Sequence, residues 1–314
     1  MKKLLSWMLL CAVMLSLPAM AEGAVRVASL KGPTTMGMVR MIKDDEQTGA
    51  YEFTVAGAAD EVVPLLVKGD VDIALIPANL AAVLYGRTEG KVGVKAINTL
   101  GVLYIVEAGD SIHSVGDLKG KTICATGKGT TPEYALRTVL TAAGMDPEKD
   151  VTIEYKSEAT EAAAALAAGQ ATVAMLPQPF VTAALAQNEG LRVALSLTEA
   201  WDQVMTDGSA LVTGVVAVRR DFAQSNPEAL EAFMEAYRAS TAFVNENPEE
   251  ASEWIADLGI VAKAGIALKA IPACNIVCIE GEEMQSKLSG YLNALYNQDP
   301  ASVGGALPLD DFYL

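Results

Sequence analysis

The chain has 314 residues, too many for one ordinary hydrophobic core, and 51% of them are hydrophobic, so two domains of typical size are expected. Its 23 basic and 39 acidic residues give a net charge of −16 at pH 7. A surface this acidic disfavours nucleic acids and anionic lipids as partners.

The first residues have the pattern of a secretory signal peptide. Two lysines precede an uncharged apolar run over residues 4–17, and Pro18 and the small-x-small sequence Ala19-Met20-Ala21 follow it. At about 14 residues, the run is shorter than the roughly 20 needed to span a bilayer. We therefore expect residues 1–21 to be cleaved off after Ala21 and the mature chain to be periplasmic.

Two alternatives stay open for this segment. A retained membrane anchor would keep the apolar run, and a lipoprotein would carry its lipid on Cys11. Cys11 lies in the middle of the run and follows Leu10, whereas lipoprotein signals place a small residue before the cysteine. Cleavage after Ala21 is preferred, and the loss of the two lysines leaves 21 basic and 39 acidic residues, a charge of −18.

The mature chain begins with strand and helix patterns in alternation, which is typical of an α/β fold. A glycine-containing loop over residues 31–35 follows the first strand, and its threonines are placed to cap the next helix. The predicted elements, in chain order, are a strand over 25–30, a helix from Met38, a strand over 53–55, a helix ending at Gly69, a strand over 71–76 and a short helix ending at Gly86.

The same plan recurs later in the chain. Residues 166–177 carry Leu, Gly, Ala and Pro at the same spacing as residues 66–77. Residues 123–131 repeat the strand and Thr-Thr pair of residues 27–35, and Thr131 is expected to cap a helix that has Pro132 at its first position. Two matches in the same order predict two similar α/β lobes.

Two apolar runs are predicted to connect these lobes. Residues 100–106 are apolar on both faces, as a buried connecting strand should be, and residues 211–218 resemble a return strand. Helices are predicted to start at Asn226-Pro227 and Asn247-Pro248. The predicted divisions are a signal peptide over 1–21, a first lobe over 22–103 plus 214–314, and a second lobe over 104–213.

Three cysteines remain in the mature chain, an odd number that leaves at least one thiol unpaired. Cys274 and Cys278 lie in a segment that reads as extended, where four residues span about 13 Å. That separation exceeds what a disulfide tolerates. We expect Cys124, Cys274 and Cys278 to be buried free thiols, and no histidine accompanies them to suggest zinc.

The ordered set of motifs resembles one family. The segments are residues 66–80, their echo over 166–180, residues 114–121, and residues 219–222 followed by 226–228. They are similar to the substrate-binding proteins of nitrate, taurine and aliphatic-sulfonate type ABC importers. The resemblance implies a type II periplasmic binding protein fold, a two-lobed Venus flytrap with two hinge crossover strands. It also implies a ligand held between the lobes and an ABC permease with its ATPase as partners.

The resemblance does not identify the ligand, because family members bind nitrate, sulfonates or pyrimidine-type vitamin precursors. A small polar molecule is expected, with an anionic or a heteroaromatic group as alternatives. Ligands of open α/β sheets bind beyond the carboxyl ends of the strands, where helix N-termini offer N–H groups to an anion. The ligand-binding candidates are Gly32, Thr34, Thr35, Ala78, Asn79, Gly129, Thr130, Thr131, Gln178 and Asn275. The alternative for each candidate is a purely structural role, such as capping a helix.

Several neighbouring side chains have two interpretations. Lys31 and Lys128 flank the Thr-Thr loops, where they either contact an anionic group or lie solvated at the cleft rim. Tyr104 and Trp201 could stack on a ligand ring, but packing roles are preferred for both. No arginine lies in the two loops, so a bidentate carboxylate clamp has no obvious source there.

An enzyme on the same fold is a weaker alternative. The resemblance extends to enzymes that make a thiamine pyrimidine precursor and to enzymes of a menaquinone route, but the cysteine-rich motif of the former is missing. The single histidine, His113, lies in a polar loop that predicts a solvated surface position. We expect no catalytic residues, cofactor or metal, and a monomer. A sensor that presents ligand to a membrane receptor kinase would share this fold.

Overall fold

The computed structural model describes residues 23–205 and 209–314. The predicted signal peptide, its cleavage site after Ala21 and Cys11 lie outside the described residues. Among the helices of the described part, none combines the length and the apolar character needed to cross a bilayer.

Strands and helices alternate along the described chain, as the sequence pattern predicts. The strands are β1 (Val25–Leu30), β2 (Tyr51–Ala56), β3 (Ile73–Pro77), β4 (Val92–Thr99), β5 (Leu103–Ala108), β6 (Thr122–Ala125), β7 (Thr152–Tyr155), β8 (Val173–Pro177), β9 (Leu191–Ser196), β10 (Gly214–Arg219) and β11 (Ile276–Ile279). The helices are α1 (Pro33–Met36), α2 (Val39–Asp45), α3 (Ala59–Lys68), α4 (Ala78–Arg87), α5 (Thr131–Ala142), α6 (Ala159–Ala167), α7 (Phe180–Gln187), α8 (Leu197–Val204), α9 (Arg220–Ser225), α10 (Pro227–Glu246), α11 (Pro248–Asp257), α12 (Ala264–Ala270) and α13 (Gly281–Gln298).

The first sheet has six strands in the order β11-β4-β10-β3-β1-β2. Strand β1 pairs in parallel with β2 and β3, whereas β10 runs antiparallel to β3 and β4. All five residues of β3 are buried, because a central strand of an α/β sheet is covered on both faces. The carboxyl ends of β1 and β3 therefore lie at the same edge of the sheet.

The second sheet repeats this plan in the order β7-β6-β8-β5-β9. Strand β6 pairs in parallel with β7 and β8, and β5 runs antiparallel to β8 and β9. The run β7-β6-β8-β5 thus matches β2-β1-β3-β10 strand for strand. The predicted α/β fold with two similar lobes is confirmed.

The connections between the sheets differ from the predicted continuous strands. Strand β4 ends at Thr99 in the first sheet and β5 begins at Leu103 in the second, so residues 100–102 make the crossing. On the return, regular pairing starts only at Gly214. The prediction of a single strand over residues 100–106 was wrong, because the chain leaves its hydrogen-bonded partners in the first sheet before it pairs with strands of the second sheet.

Two predicted helix starts are shifted. Thr130, with extended backbone angles, is the N-cap residue of α5, so Thr131 is the first helical residue and Pro132 the second. The threonines predicted to cap the first helix lie inside it, because α1 begins directly after Gly32 and has no side-chain cap. Helices α10 and α11 begin at the prolines predicted for them. The helix expected to end at Gly86 continues to Arg87.

The three described cysteines are unpaired, as expected, but they are not equally buried. Cys124 and Cys274 are buried and Cys278 is half-buried. The segment is not extended throughout, because Cys274 follows a short 3₁₀ turn and the strand begins at Ile276. Burial raises the pKa of the Cys278 thiol to about 12 and raises the pKa of Cys274 as well, so both thiols stay protonated near neutral pH.

Helix α13 joins the two halves of the molecule. It packs on β4 and α4 beside the first sheet and also on α5 beside the second. Its buried side chains include Leu288, Tyr291 and Leu295. The Tyr291 ring lies 5.4 Å from the ring of Trp201 on α8. The C-terminal helix therefore contributes to a core shared by both lobes.

Candidate functional site

A cleft of about 730 Å³ lies between the two sheets. The first sheet contributes Leu30 and Pro77, the last residues of β1 and β3, and the second contributes Pro177, the last residue of β8. Both crossovers line its base, through Val102 on one and Thr213 on the other. This is the expected position for a ligand site in open α/β sheets, beyond the carboxyl ends of parallel strands.

The interior of the cleft combines apolar walls with hydroxyl groups. Val102 and Leu103 are each 1% exposed, Phe180 is 5% exposed, and Leu80 lies on the opposite lobe. The hydroxyl-bearing lining residues are Thr34, Thr99, Thr126, Thr130, Ser157 and Thr213. Such a surface suits a small molecule that combines an apolar or aromatic face with hydrogen-bonding groups.

The charged side chains lie at the mouth of the cleft. Those that line it are Lys31, Asp60, Glu61, Lys128, Lys156 and Glu158. Lys156 is half-buried and the other five are exposed. The Lys128 ammonium lies 5.9 Å from the centre of the Tyr155 ring. Three basic and three acidic groups make the mouth close to neutral, in contrast to the acidic surface of the chain.

The two lobes touch at this mouth. Gly57 follows β2 and Glu158 precedes α6. A Cβ added to Gly57 would lie only 2.7 Å from the Glu158 carboxylate, so a larger residue there would require the Glu158 side chain to move. Gly57 of the first lobe is therefore in close contact with the Glu158 side chain of the second.

Glutamates occupy N–H groups at three helix starts around the cleft. Glu61 accepts hydrogen bonds from the N–H groups of Gly57 (3.1 Å) and Ala58 (3.0 Å) at α3. Glu133 accepts one from Gly129 (2.6 Å) at α5. Glu161 accepts one from the N–H group of Ser157 (3.1 Å) at α6. The expectation of a free anion site at the second Thr-Thr loop is not met at Gly129, because a carboxylate of the same helix is already there.

Three of the predicted ligand-binding residues line the cleft: Thr34, Gly129 and Thr130. The Thr34 hydroxyl donates to the carbonyl of Leu30 (2.6 Å), and that of Thr130 donates to Gly127 (2.7 Å). Gly129 has a positive φ of 74°, and an added Cβ would point into open space.

Asn79 and Thr131 lie behind the cleft and connect the lobes. The Asn79 amide donates to the carbonyls of Ser302 (3.1 Å) and Gly129 (3.3 Å), and its oxygen accepts from the Thr131 hydroxyl (3.4 Å). Both side chains are fully buried. Asn79 therefore ties the start of α4 to the loop before α5.

The other predicted residues lie beside the cleft without lining it. The Thr35 hydroxyl is 2.6 Å from the Ser29 hydroxyl and donates to Leu30 (2.6 Å). The Gln178 oxygen accepts from the Thr182 hydroxyl (2.8 Å), and the Asn275 amide donates to Gly101 on the first crossover. Ala78 is buried, and its N–H donates to Thr213 (3.2 Å). A Cβ on Gly32 would lie 3.9 Å from the Phe180 ring.

The neighbouring side chains that have two interpretations take different positions. Lys31 and Lys128 line the cleft from its exposed rim. Trp201 is fully buried, and the Tyr104 hydroxyl donates to Ala273 (3.4 Å). The His113 side chain is exposed, and its Nε2 atom lies 3.7 Å from Oδ1 of Asp110. Across residues 23–205 and 209–314, no group of three or more His, Cys, Asp or Glu side chains is placed to bind a metal ion.

Sequence reasoning missed several lining residues. Residues 57–60 connect β2 to the start of α3, residues 156–159 connect β7 to the start of α6, and both segments line the cleft. The internal repeat could have identified these residues. Residues 57–61 and 157–161 are separated by the same number of residues as the repeated segments 66–77 and 166–177. The same offset pairs Leu80 with Phe180, which form opposing walls.

Comparison with known proteins agrees with this architecture. The profile of the family described as "NMT1/THI5 like" matches residues 54–251. A provisionally named binding protein of Brucella abortus (strain 2308) is 26% identical over 235 residues, which cover 74% of this chain and 71% of that protein. The crystal structure of an ABC transporter protein from Parabacteroides distasonis has a TM-score of 0.75 at 24% identity, over 93% of this chain and 99% of that one.

Two further solved structures share the fold at lower identity. The periplasmic aliphatic sulphonate binding protein of Escherichia coli has a TM-score of 0.69 at 16% identity, over 90% of each chain. The periplasmic nitrate-binding protein of Synechocystis PCC 6803 has a TM-score of 0.65 at 13% identity, over 88% of this chain and 81% of that one. The predicted fold, that of a two-lobed periplasmic binding protein, is confirmed.

Proposed function

Because this chain belongs to the NMT1/THI5-like family, we propose that it is an extracytoplasmic solute-binding receptor that delivers a small polar molecule to an ABC importer. The observation that carries the proposal is the cleft of about 730 Å³, which both lobes and both crossovers line. Its partners would be an ABC permease and its ATPase. The similar proteins named above are binding and transport proteins, so the chain is interpreted as a receptor and not as an enzyme.

The chemistry of the cleft favours a heteroaromatic ligand over a deeply buried anion. The charged lining residues are at the mouth, and the N–H of Gly129 is taken by Glu133. An anionic group placed at the base would lose its hydration without a paired cation. Leu80 and Phe180 instead offer apolar surfaces for a flat molecule. Any anionic substituent would therefore point toward Lys31, Lys128 and Lys156.

We propose the predicted division into a first lobe of residues 22–103 with 214–314 and a second lobe of residues 104–213, with the first boundary moved by one residue because Leu103 already pairs with Pro177 in the second sheet. A ligand that contacts both lobes shifts the population toward the closed arrangement. The receptor should therefore become more compact when the ligand binds. Small-angle scattering with and without a tight ligand tests this, and an unchanged radius of gyration at saturation would contradict it.

The ligand class is tested by a thermal-shift screen of purified protein against nitrate, aliphatic sulfonates, pyrimidines and aromatic acids. A ligand at about 100 times its Kd should stabilise the fold by about 2.7 kcal/mol. Stabilisation by a neutral heteroaromatic compound is the expected result. Stabilisation only by nitrate or sulfonates would reject the heteroaromatic class and leave the receptor function intact. No stabilisation by any class would count against the receptor function.

We place the mature protein in the periplasm as a monomer, with Glu22 as its first residue. The apolar run and the small-x-small sequence before Glu22 support this assignment. The intact mass of the protein purified from its native host should correspond to residues 22–314 without lipid. A diacylglyceryl group on Cys11 would disprove it.

A further inference from the structure

The base of the cleft is formed where the two crossovers meet. The N–H of Thr213 donates to the carbonyl of Thr99 (3.0 Å), and the carbonyl of Thr213 accepts from Ala78 (3.2 Å). These backbone groups are therefore paired within the protein. The side-chain hydroxyls of Thr99 and Thr213, by contrast, are buried and have no hydrogen-bond partner among the described protein atoms. Both threonines line the cleft.

Asn98 lies beside them on β4. Its side chain is fully buried, and neither its amide nitrogen nor its oxygen has a partner among the described residues. A Cβ added to Gly214 would collide with the Asn98 oxygen and lie 3.3 Å from the Thr34 methyl group. Gly214 and Thr34 both line the cleft, so the Asn98 amide lies directly behind this part of the cleft wall, in the space that a side chain at position 214 would fill.

Three neighbouring unpaired groups are unusual in a folded protein. Most buried polar side chains have a partner, because an unpaired buried donor or acceptor costs free energy. The buried hydroxyls of Tyr237 and Thr241 do not line the cleft, and they interact with each other. The concentration of unpaired polar atoms at the cleft base is explained if they pair with a bound molecule.

We propose that Asn98, Thr99 and Thr213 form a neutral specificity subsite for an uncharged, planar hydrogen-bonding edge. A carboxamide presents one donor and one acceptor side by side, so it complements a group with the same pair, such as another carboxamide or the lactam edge of a heterocycle. The hydroxyls can donate or accept and so complete the contacts. The inference rests on the proposed receptor function and deepens it by naming the ligand group that the cleft base recognises.

The first test compares three pyridines that differ only in the substituent that would meet the subsite, with uracil as a second ring that carries the same pair of groups. Nicotinamide and uracil carry adjacent donors and acceptors, nicotinate carries a charged carboxylate, and N,N-diethylnicotinamide lacks the donor. Calorimetry should give at least about tenfold weaker binding for the last two than for nicotinamide, because each leaves subsite groups unpaired. Equal or tighter binding of nicotinate would overturn the subsite while the receptor function stands.

The second test removes the subsite without changing its shape. Asn98→Leu, Thr99→Val and Thr213→Val are close to isosteric, and each should weaken binding of the preferred probe by about tenfold. Thr241→Val makes the same change at a buried hydroxyl away from the cleft, where Thr241 interacts with Tyr237, and should bind like the wild type. Subsite variants that bind like the wild type would overturn the proposal.

Thermal stability supplies a readout that needs no ligand. Replacing unpaired polar groups by apolar groups of the same shape should leave the melting temperature of Asn98→Leu and Thr99→Val unchanged or higher. A clear fall would mean that these groups stabilise the empty protein, which would overturn the proposal. If no compound of any class binds the wild type, the receptor function fails, and the subsite fails with it.

Discussion

Replacing Trp201 by alanine is expected to lower the free energy of unfolding by about 3–5 kcal/mol. The indole is fully buried, its N–H donates to the carbonyl of Ser209 (3.1 Å), and its ring packs 5.4 Å from that of Tyr291. Alanine would leave a large cavity between α8 and α13. Because this contact joins the C-terminal helix to the second lobe, the loss should also make unfolding less cooperative.

Urea unfolding followed by circular dichroism measures the effect. The matched control is Trp254→Ala, because Trp254 is only half-buried and stacks 5.0 Å from Phe243. The control should lose less stability than Trp201→Ala. A different result would support the alternative that Trp201 stacks on the ligand. In that case Trp201→Ala would lose ligand affinity but keep its free energy of unfolding within about 1 kcal/mol of the wild type, which is too small a change for a buried core side chain.

Glu107→Gln is expected to destabilise the protein by about 2–3 kcal/mol near neutral pH. The carboxylate is 2% exposed and accepts from the N–H groups of Ser111 (3.0 Å) and Ile112 (3.0 Å). It also pairs with Arg192. Burial alone would raise the pKa of Glu107, but the N–H groups, the Ser111 hydroxyl and the Arg192 charge outweigh it, and the pKa is lowered.

This direction sets the pH dependence. A carboxyl group with a lowered pKa in the folded state contributes stability above its unfolded value of about 4.3. That contribution is lost as the pH falls through the folded value. The difference in unfolding free energy between wild type and Glu107→Gln should therefore be large near neutral pH and shrink in acid.

Urea unfolding at several pH values tests the dependence, with Glu154→Gln as the control. Glu154 is an exposed carboxylate on β7, so its replacement should change stability by less than about 0.5 kcal/mol at every pH. A difference for Glu107→Gln that does not depend on pH would show that the lost contacts are not those of the ionised group.

The repeated strand order was predictable because its signals are local. Gly69 ends α3 with a positive φ of 82°, and Pro77 ends β3 before α4. Glycine and proline act through the conformations that their own backbones allow or exclude. A repeat of such residues at fixed spacing therefore predicted two α/β lobes and placed the cleft at the strand ends.

Side-chain orientation within the loops was not predictable in this way. Thr34 and Thr130 line the cleft, whereas Thr35 and Thr131, their immediate neighbours, are fully buried. Successive residues of a helix point in directions about 100° apart, and Thr130 precedes α5 with an extended backbone, so being in the correct loop does not place a side chain in the cleft. Which threonine of each pair lines the cleft depends on how α1 and α5 pack.

The sequence alone determined the α/β class, the two similar lobes, the two crossings and the free thiols, because periodicity, turn residues and cysteine spacing are properties of short segments. Tertiary structure alone decided that Thr99 and Thr213 meet at the base of the cleft. It also decided that Glu133 occupies the N–H of Gly129. A hydroxyl or an N–H group becomes available to a ligand only when no nearer group satisfies it, and distant segments supply or withhold that partner.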